Sequence, residues 1–567
     1  MITLPNIIIQ YIVEELLNEI YTLKRKYKVL CNIVLVSKQW NLEIIPKIRF
    51  GELNLSLIDD ISEKWIEITQ RYNIKYKIHL RGQIKNRNVL KKIRDSVISV
   101  GHVSDFTLDT IQLQPDGKYY FENLTLMEVD ITGASRLSDF EKEFKVRENV
   151  VYVGRFYCEG VAAHQLPQSV ALDLFNSNIF RKIFTSFNIP KFEISCGNHW
   201  LTQLTLYTIH IDPVTLCAII EKSPNLTHID FDLVKFSDGS TSYEPVIQSF
   251  VASNHQNLIK LYLRGKQSIH FSSLIHLYNN IKCQDIYTEF KHVFYDSVDQ
   301  VLQSKITNTS IQIVAMTKTV FDPPVEQLKN FNLFSLWSDR SNIKKITTNL
   351  SFPMISYYKE MVSLEDYGIE QHTDYPIEMS QEEYDAIISY NLVNLSRITV
   401  AITSNSSIIL TPTVLLNNFH LKSVNLSNLT IQQCISLLDC QHPTIKEMRF
   451  PLVSFQNGDL IQLTNSIKNN TTLHRLSIYY KGHMVNGYNV FTFLFEILRG
   501  NRTLRSIYLP QVGKLSPKHV VLFDMVFARN FVIRAAYIPN VTESDMTKYP
   551  IYMDLINLYH QYSIDYE

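Results

Sequence analysis

The sequence predicts an α/β solenoid, with parallel strands stacked on a concave face and helices on the convex face. Three observations predict it. A hexamer with aliphatic residues at its first, fourth and sixth positions recurs along the chain. It starts at Leu395 (LSRITV), Leu421 (LKSVNL), Ile445 (IKEMRF), Leu473 (LHRLSI) and Leu504 (LRSIYL), in steps of 26, 24, 28 and 31 residues. Earlier copies start at Leu201 (LTQLTL), Leu226 (LTHIDF) and Leu258 (LIKLYL), and fainter ones at Phe50 (FGELNL), Val103 (VSDFTL) and Leu126 (LMEVDI). The last three positions of each hexamer alternate in, out, in, which is strand geometry with one buried face. Between hexamers lie helical spacings, such as Phe491, Leu494, Phe495 and Leu498 ahead of LRSIYL. A strand, a crossover of a dozen or more residues and a second strand make a parallel βα unit.

This pattern resembles a leucine-rich repeat solenoid of the longer, helix-containing kind. The resemblance spans 46–540 and is strongest over 195–265 and 393–540. The family's asparagine after the third strand position is out of register here, with Ile209 at that place in the unit of Leu201. An incomplete ladder of asparagines is therefore expected.

The N-terminal element is a separate helical unit. Thr3 can cap a helix and Pro5 suits its first turn, where a missing N–H costs nothing. Ile8, Ile9, Ile12, Val13, Leu16, Leu17 and Ile20 recur at three- and four-residue steps, giving one broad apolar face. A basic run, Lys24–Lys28, and a second apolar run, Val29–Val36, lead to Ser37-Lys38-Gln39-Trp40. So small a unit buries too little surface to stand alone, so the chain or a partner must cover part of that face.

The order Leu-Pro, aliphatic helix, Val-Ser-Lys-x-Trp resembles an F-box over residues 1–45. Two departures are Asn6-Ile7, where the family often has an acidic residue, and a longer connection through Lys24–Lys28. The resemblance implies docking on a Skp-family adaptor within a cullin ligase complex, through Leu4, Pro5, Ile8, Ile12, Val36 and Trp40. It implies a substrate-recognition subunit of a ubiquitin ligase whose repeats hold an unknown target protein. The alternatives are a repeat scaffold unrelated to ubiquitin, and an enzyme regulator such as a GTPase-activating repeat protein. The last would need a rim arginine, and none stands out.

The organisation expected is a helical unit over 1–45, irregular repeats over 46–353, an acidic insertion over 354–392, repeats over 393–541 and a helical cap over 542–567. Between Lys359 and Asp385 stand nine acidic residues and one basic, read as an excursion or a docking segment for a basic partner. Between Arg71 and Arg94 stand nine basic residues and no acidic one, read as a solvated face near the F-box-like end. In the cap, Ile551, Leu555, Leu558, Tyr559 and Tyr562 are expected to close the end of the core. Outward strand positions include Lys446, Glu447 and Arg449, then Ser477 and Ser506. Among them, His474, Arg475, Tyr479, Arg505 and Tyr508 are the candidate partner-binding residues, because Arg and Tyr are favoured interface anchors.

Composition limits the remaining classes. Of 567 residues 45% are hydrophobic, enough for a large core, and the net charge is zero, which points to neither nucleic acid nor membrane as partner. No apolar run approaches the ~20 residues of a membrane span. The seven cysteines are scattered without C-x-x-C, so thiols in a reducing compartment, cytoplasm or nucleus, are expected. The N-x-S/T triplets, such as Asn225-Leu-Thr and Asn501-Arg-Thr, are then expected to carry no glycan. No nucleotide, zinc-protease, hydrolase or kinase motif occurs, so the sequence nominates no catalytic residue, metal, cofactor or small-molecule substrate.

Overall fold

The computed structural model describes residues 5–19, 23–56, 60–81, 91–103, 121–133, 150–157, 164–265, 267–316, 320–328, 331, 333–348, 357, 360–370, 381–389, 391–401, 412–426, 429–452, 457–480, 489–509, 515–530, 532–533, 535–537, 555 and 558–559. They form two compact units: Met1–Cys283 with Phe290–Phe294, and Gln284–Glu289 with Tyr295–Glu567.

In the first unit one parallel ladder runs through Arg49–Ser56, Lys75–Arg81, Val97–Val103, Leu126–Thr132, Val151–Tyr157, Phe180–Thr185, Gln203–Tyr207, His228–Asp232 and Lys260–Arg264. In the second, the ladder runs through Asp285–Glu289, Ile313–Met316, Lys345–Thr348, Asp366–Glu370, Arg397–Ala401, Ser423–Leu426, Glu447–Leu452, Arg475–Tyr480, Ser506–Tyr508 and Ala535–Tyr537. Each unit is a leucine-rich repeat solenoid. Every hexamer from Leu201 to Leu263 and from Leu395 to Leu509 buries its three aliphatic positions.

Register makes the core continuous. In the second unit Ile286, Val314, Ile346, Tyr367, Ile398, Val424, Met448, Leu476, Ile507 and Ala536 are partnered strand to strand, and all are buried. Each buried leucine-sized side chain in such a row contributes about 1.5–3 kcal/mol. Helices cover the core. Pro213–Glu221, Glu244–Ser253 and Phe271–Asn280 pack in succession, as do Ile431–Asp439, Asn457–Asn469, Val490–Gly500 and Pro517–Phe527.

A ladder of asparagines does exist, at the other end of the strand. Asn198, Asn418, Asn470, Asn501 and Asn530 are buried, each three residues before the first aliphatic position of its repeat. Asn501 Nδ2 donates to the carbonyls of Ile467 and Asn470, both at 2.8 Å, and its Oδ1 accepts from the N–H of Thr503 (2.9 Å) and Leu504 (2.8 Å). Asn530 repeats the arrangement on Leu498 and Asn501 one repeat later, and Asn470 reaches Leu438 one repeat earlier. Ile467, Leu498 and Leu438 lie in the last turns of their helices, where carbonyls lack an intrahelical partner. Each amide therefore satisfies the preceding helix end and fixes the turn into its own strand.

His442 takes the same place with an imidazole. One ring nitrogen, Nε2, meets the Leu415 carbonyl at 3.1 Å, while Nδ1 accepts from Thr444 N (3.3 Å) and Ile445 N (3.4 Å). This requires the neutral ring protonated at Nε2. Buried His255 stands at the equivalent position before Leu258. The triplet Asn501-Arg-Thr thus belongs to the ladder, since Thr503 Oγ1 also donates to the Asn470 carbonyl at 3.2 Å.

Three expectations change. Residues 354–392 are not simply an excursion, because Asp366–Glu370 is a ladder strand in register between Lys345–Thr348 and Arg397–Ala401, and Gln381–Ser389 is a helix. Its hexamer was hidden by Tyr367 at an inward position. The repeat placed at Leu126 begins instead at Leu124, with Met127 and Val129 as its inward residues. The strand near VSDFTL is Val97–Val103, and residues 104–108 lie outside the described residues. In the cap, Leu555 and Tyr559 are buried, Tyr559 against Phe527 with ring centroids 5.5 Å apart, whereas Ile551 and Tyr562 lie outside the described residues.

Replacing Asn501 by Ala removes a group satisfying four backbone atoms. A loss of about 2–4 kcal/mol is expected, since each net bond contributes about 0.5–1.5 kcal/mol and buried orphans cost more. The urea midpoint of unfolding checks it, with His442→Asn expected to stay near wild type. Burial lowers the pKa of His442 and His255 below the ordinary 6.5. The unfolded chain then takes up protons that the folded chain refuses. Stability from these rings is fully present above pH 6.5 and falls as pH drops below it toward the folded value. Urea midpoints between pH 7 and pH 5 should show this fall, reduced in His442→Asn.

Candidate functional site

Two surfaces stand out, one in each unit. In the first, helix Asn6–Glu19 carries apolar residues on two sides, one covered and one exposed. Val13 and Leu17 are buried with Leu30, Ile33, Ile44, Ile45 and Ile48. On the other side Ile8 is 43% exposed and Ile12 50%, with Ile7, Tyr11 and Leu16 also exposed. Polar bonds fix which side faces in. Gln10 Nε2 donates to the Lys47 carbonyl (2.9 Å), and Glu14 Oε1 accepts from Arg49 N (2.8 Å) at the start of the first strand. Asn6 Nδ2 donates to Glu43 Oε2 at 2.7 Å, holding the helix start against the π-helical turn Trp40–Ile44. That turn carries exposed Leu42 and half-buried Trp40, whose N–H donates to Ser37 Oγ at 3.0 Å, and follows exposed Leu35 and Val36.

Of the adaptor-binding residues expected from sequence, Pro5, Ile8, Ile12 and Val36 are exposed, Trp40 is half-buried, and Leu4 lies outside the described residues. Monomeric proteins seldom leave so much aliphatic surface bare on one helix, and such patches mark contacts.

The second surface is the outward face of the ladder in the second unit. The first outward position carries alternating charge. Asp366 lies 3.3 Å from Lys345 and 3.6 Å from Arg397 on its two flanking strands. Glu447 binds Arg449 at 2.8 Å and approaches Arg475 at 3.7 Å. In both sets the carboxylate side chain is only 17% exposed, whereas the cations are between 43% and 55% exposed. The acids orient the bases and leave the bases outermost.

Tyr479 and Tyr508 tilt against each other with centroids 4.5 Å apart. Arg505 and Arg475 are exposed, His474 is half-buried, and Ser477, outward between Arg449 and Tyr508, is covered by its neighbours. By strand pairing Arg475, Tyr479 and Tyr508 share the outward face, while His474 and Arg505 stand one residue ahead of their strands, His474 beside Arg505 and Lys446. The Asp366 triad and Lys422 were not anticipated. Both become readable once hexamer positions two and three are compared down the repeats.

No group of three or more metal-binding side chains, no disulfide and no helix long and apolar enough to cross a membrane occurs among the described residues.

No family model matches the chain, and no curated relative does. Among solved structures, one similar chain is a crystal structure of an internalin from Listeria monocytogenes, 13% identical, covering 86% of this chain and 95% of that one, with a TM-score of 0.19. A likeness that loose says nothing of this chain's partners.

The two faces of the first helix predict opposite outcomes. Ile12→Asp should change the unfolding midpoint little, within about 0.5 kcal/mol, as surface substitutions do. Leu17→Asp buries a charge without a partner and should cost more than about 3 kcal/mol, which urea titration followed by circular dichroism measures.

Proposed function

We propose that this chain is a leucine-rich repeat protein-interaction scaffold, and that its N-terminal helices dock it on a Skp-family adaptor as the substrate-recognition subunit of a Skp–cullin–F-box type ubiquitin ligase. The scaffold part is supported by a continuous ladder in each unit that offers rows of outward side chains. The finer part is supported by one observation: among the described residues the Ile8–Ile12–Leu16 stripe, opened by Pro5, stands exposed. The reading carries no bond-making in this chain. Holding a target beside a ubiquitin carrier raises the effective concentration of the target's lysines.

A plain scaffold without adaptor is the second reading. It is favoured by Gln10 and Glu14, which tie the same helix to the start of the first strand and so give it a capping role. Co-precipitation of the full chain with a purified Skp-family adaptor separates the two. Binding by wild type is expected, with a drop of about tenfold or more in Pro5→Ala/Ile8→Asp/Ile12→Asp. Equal capture of wild type and variant, or capture of neither, removes the ligase reading and leaves the scaffold.

A further inference from the structure

We propose that the outward face of the strands between Ser423 and Tyr508, together with the residue just ahead of each strand, binds an acidic, extended segment of a partner protein, with Lys422, Lys446, Arg475 and Arg505 receiving its carboxylates. The proposal rests on the protein-interaction reading above and adds the chemistry of the partner.

Lys422, Lys446, His474 and Arg505 follow one another across four adjacent repeats. Lys446 N donates to the Lys422 carbonyl (2.8 Å), His474 N to the Lys446 carbonyl (2.8 Å), and Arg505 N to the His474 carbonyl (2.7 Å). Neighbouring strands lie roughly 4.8 Å apart, so these side chains form a closely spaced basic row. Arg475 stands one position further along its strand and is 55% exposed on its side chain. The one carboxylate on these strands, Glu447, is mostly covered and is taken up by Arg449. Four cations therefore remain in excess on a chain whose net charge is zero, so the row is a local feature and not a consequence of overall basicity.

His474 reports the same field. Burial first, and then the charges of Arg505 and Lys446, hold its pKa below the ordinary value. One detail favours a protein partner over nucleic acid. Tyr479 and Tyr508 face each other at 4.5 Å, whereas single-strand binders offer separate rings on which successive bases stack. A carboxylate-bearing segment can place its acids over Arg475 and Arg505, both of which are exposed.

Fluorescence anisotropy of the full chain with a labelled oligoglutamate tests this, with oligoglutamine and oligothymidylate as comparators. Oligoglutamate is expected to bind, to weaken as salt rises, and to bind better than either comparator. Arg475→Glu/Arg505→Glu should weaken it about tenfold or more, and so should Lys422→Glu/Lys446→Glu, which covers the case that the first pair fails to fold. Lys222→Glu/Lys235→Glu, the same charge change in the other unit, should leave binding as in wild type, as should Lys235→Glu alone. No binding of oligoglutamate, a preference for oligothymidylate, equal loss in Lys222→Glu/Lys235→Glu, or indifference to both pairs overturns the acidic site. A protein partner that co-purifies equally with wild type and both pairs would overturn this site while leaving the scaffold reading in place.

Discussion

The carbonyls at the ends of the stacked helices face neither water nor their own turn, and a side chain from the next repeat must take them. Asn470, Asn501 and Asn530 do so with one amide each, donating backward to the previous helix and accepting forward from the turn into their own strand. That double use couples neighbours. A repeat whose predecessor is missing would leave the amide with nothing to donate to, and a repeat whose amide is missing would bury orphan carbonyls on its neighbour. The aliphatic rows supply most of the favourable free energy, but hydrophobic burial is non-directional. The amides fix the distance and register at which those rows meet. His442 shows that the geometry matters and the amide itself does not, because a neutral imidazole offers the same donor and acceptor at similar separation.

The N-terminal helix is subject to a different constraint. It must close the start of a ladder, and Val13, Leu17, Gln10 and Glu14 accomplish that on one side. Closure needs no aliphatic residue on the other side. Surface positions are ordinarily polar, so Ile7, Ile8, Tyr11, Ile12 and Leu16 exposed together are unexplained by folding of the described residues. The two roles are compatible, since a helix fixed by its inner face presents its outer face as a rigid surface.

On the ladder of the second unit, charge is arranged in depth. Asp366 lies low between two strands and holds Lys345 and Arg397 from either side, and Glu447 holds Arg449 on its own strand and Arg475 on the next. Partly exposed pairs like these add little stability, about 0–1 kcal/mol each. Their larger consequence is positional: long flexible cations are held at defined places on an otherwise flat sheet, which lowers the entropy cost of meeting an anionic group.

The architecture was legible in the sequence wherever all three inward hexamer positions are apolar, as from Leu201 to Leu263 and from Leu395 to Leu509. It was so because period-two burial leaves a direct trace in residue type. Legibility failed at Thr185, Thr288, Thr348 and Tyr367, buried inward residues whose side chains do not read as apolar although their β-branching or aromatic ring suits a strand. The asparagines were legible too, three residues ahead of Leu201, Leu421, Leu473, Leu504 and Ile533, but their meaning was not. Asn470, Asn501 and Asn530 each act on a helix-end carbonyl 32 to 34 residues away, and only stacking brings the two together. Tertiary structure alone decided which side of the first helix is covered, because both sides carry apolar residues. It also decided that Asp366 is sunk while Lys345 and Arg397 stand out, since that depends on neighbouring strands and not on neighbouring residues.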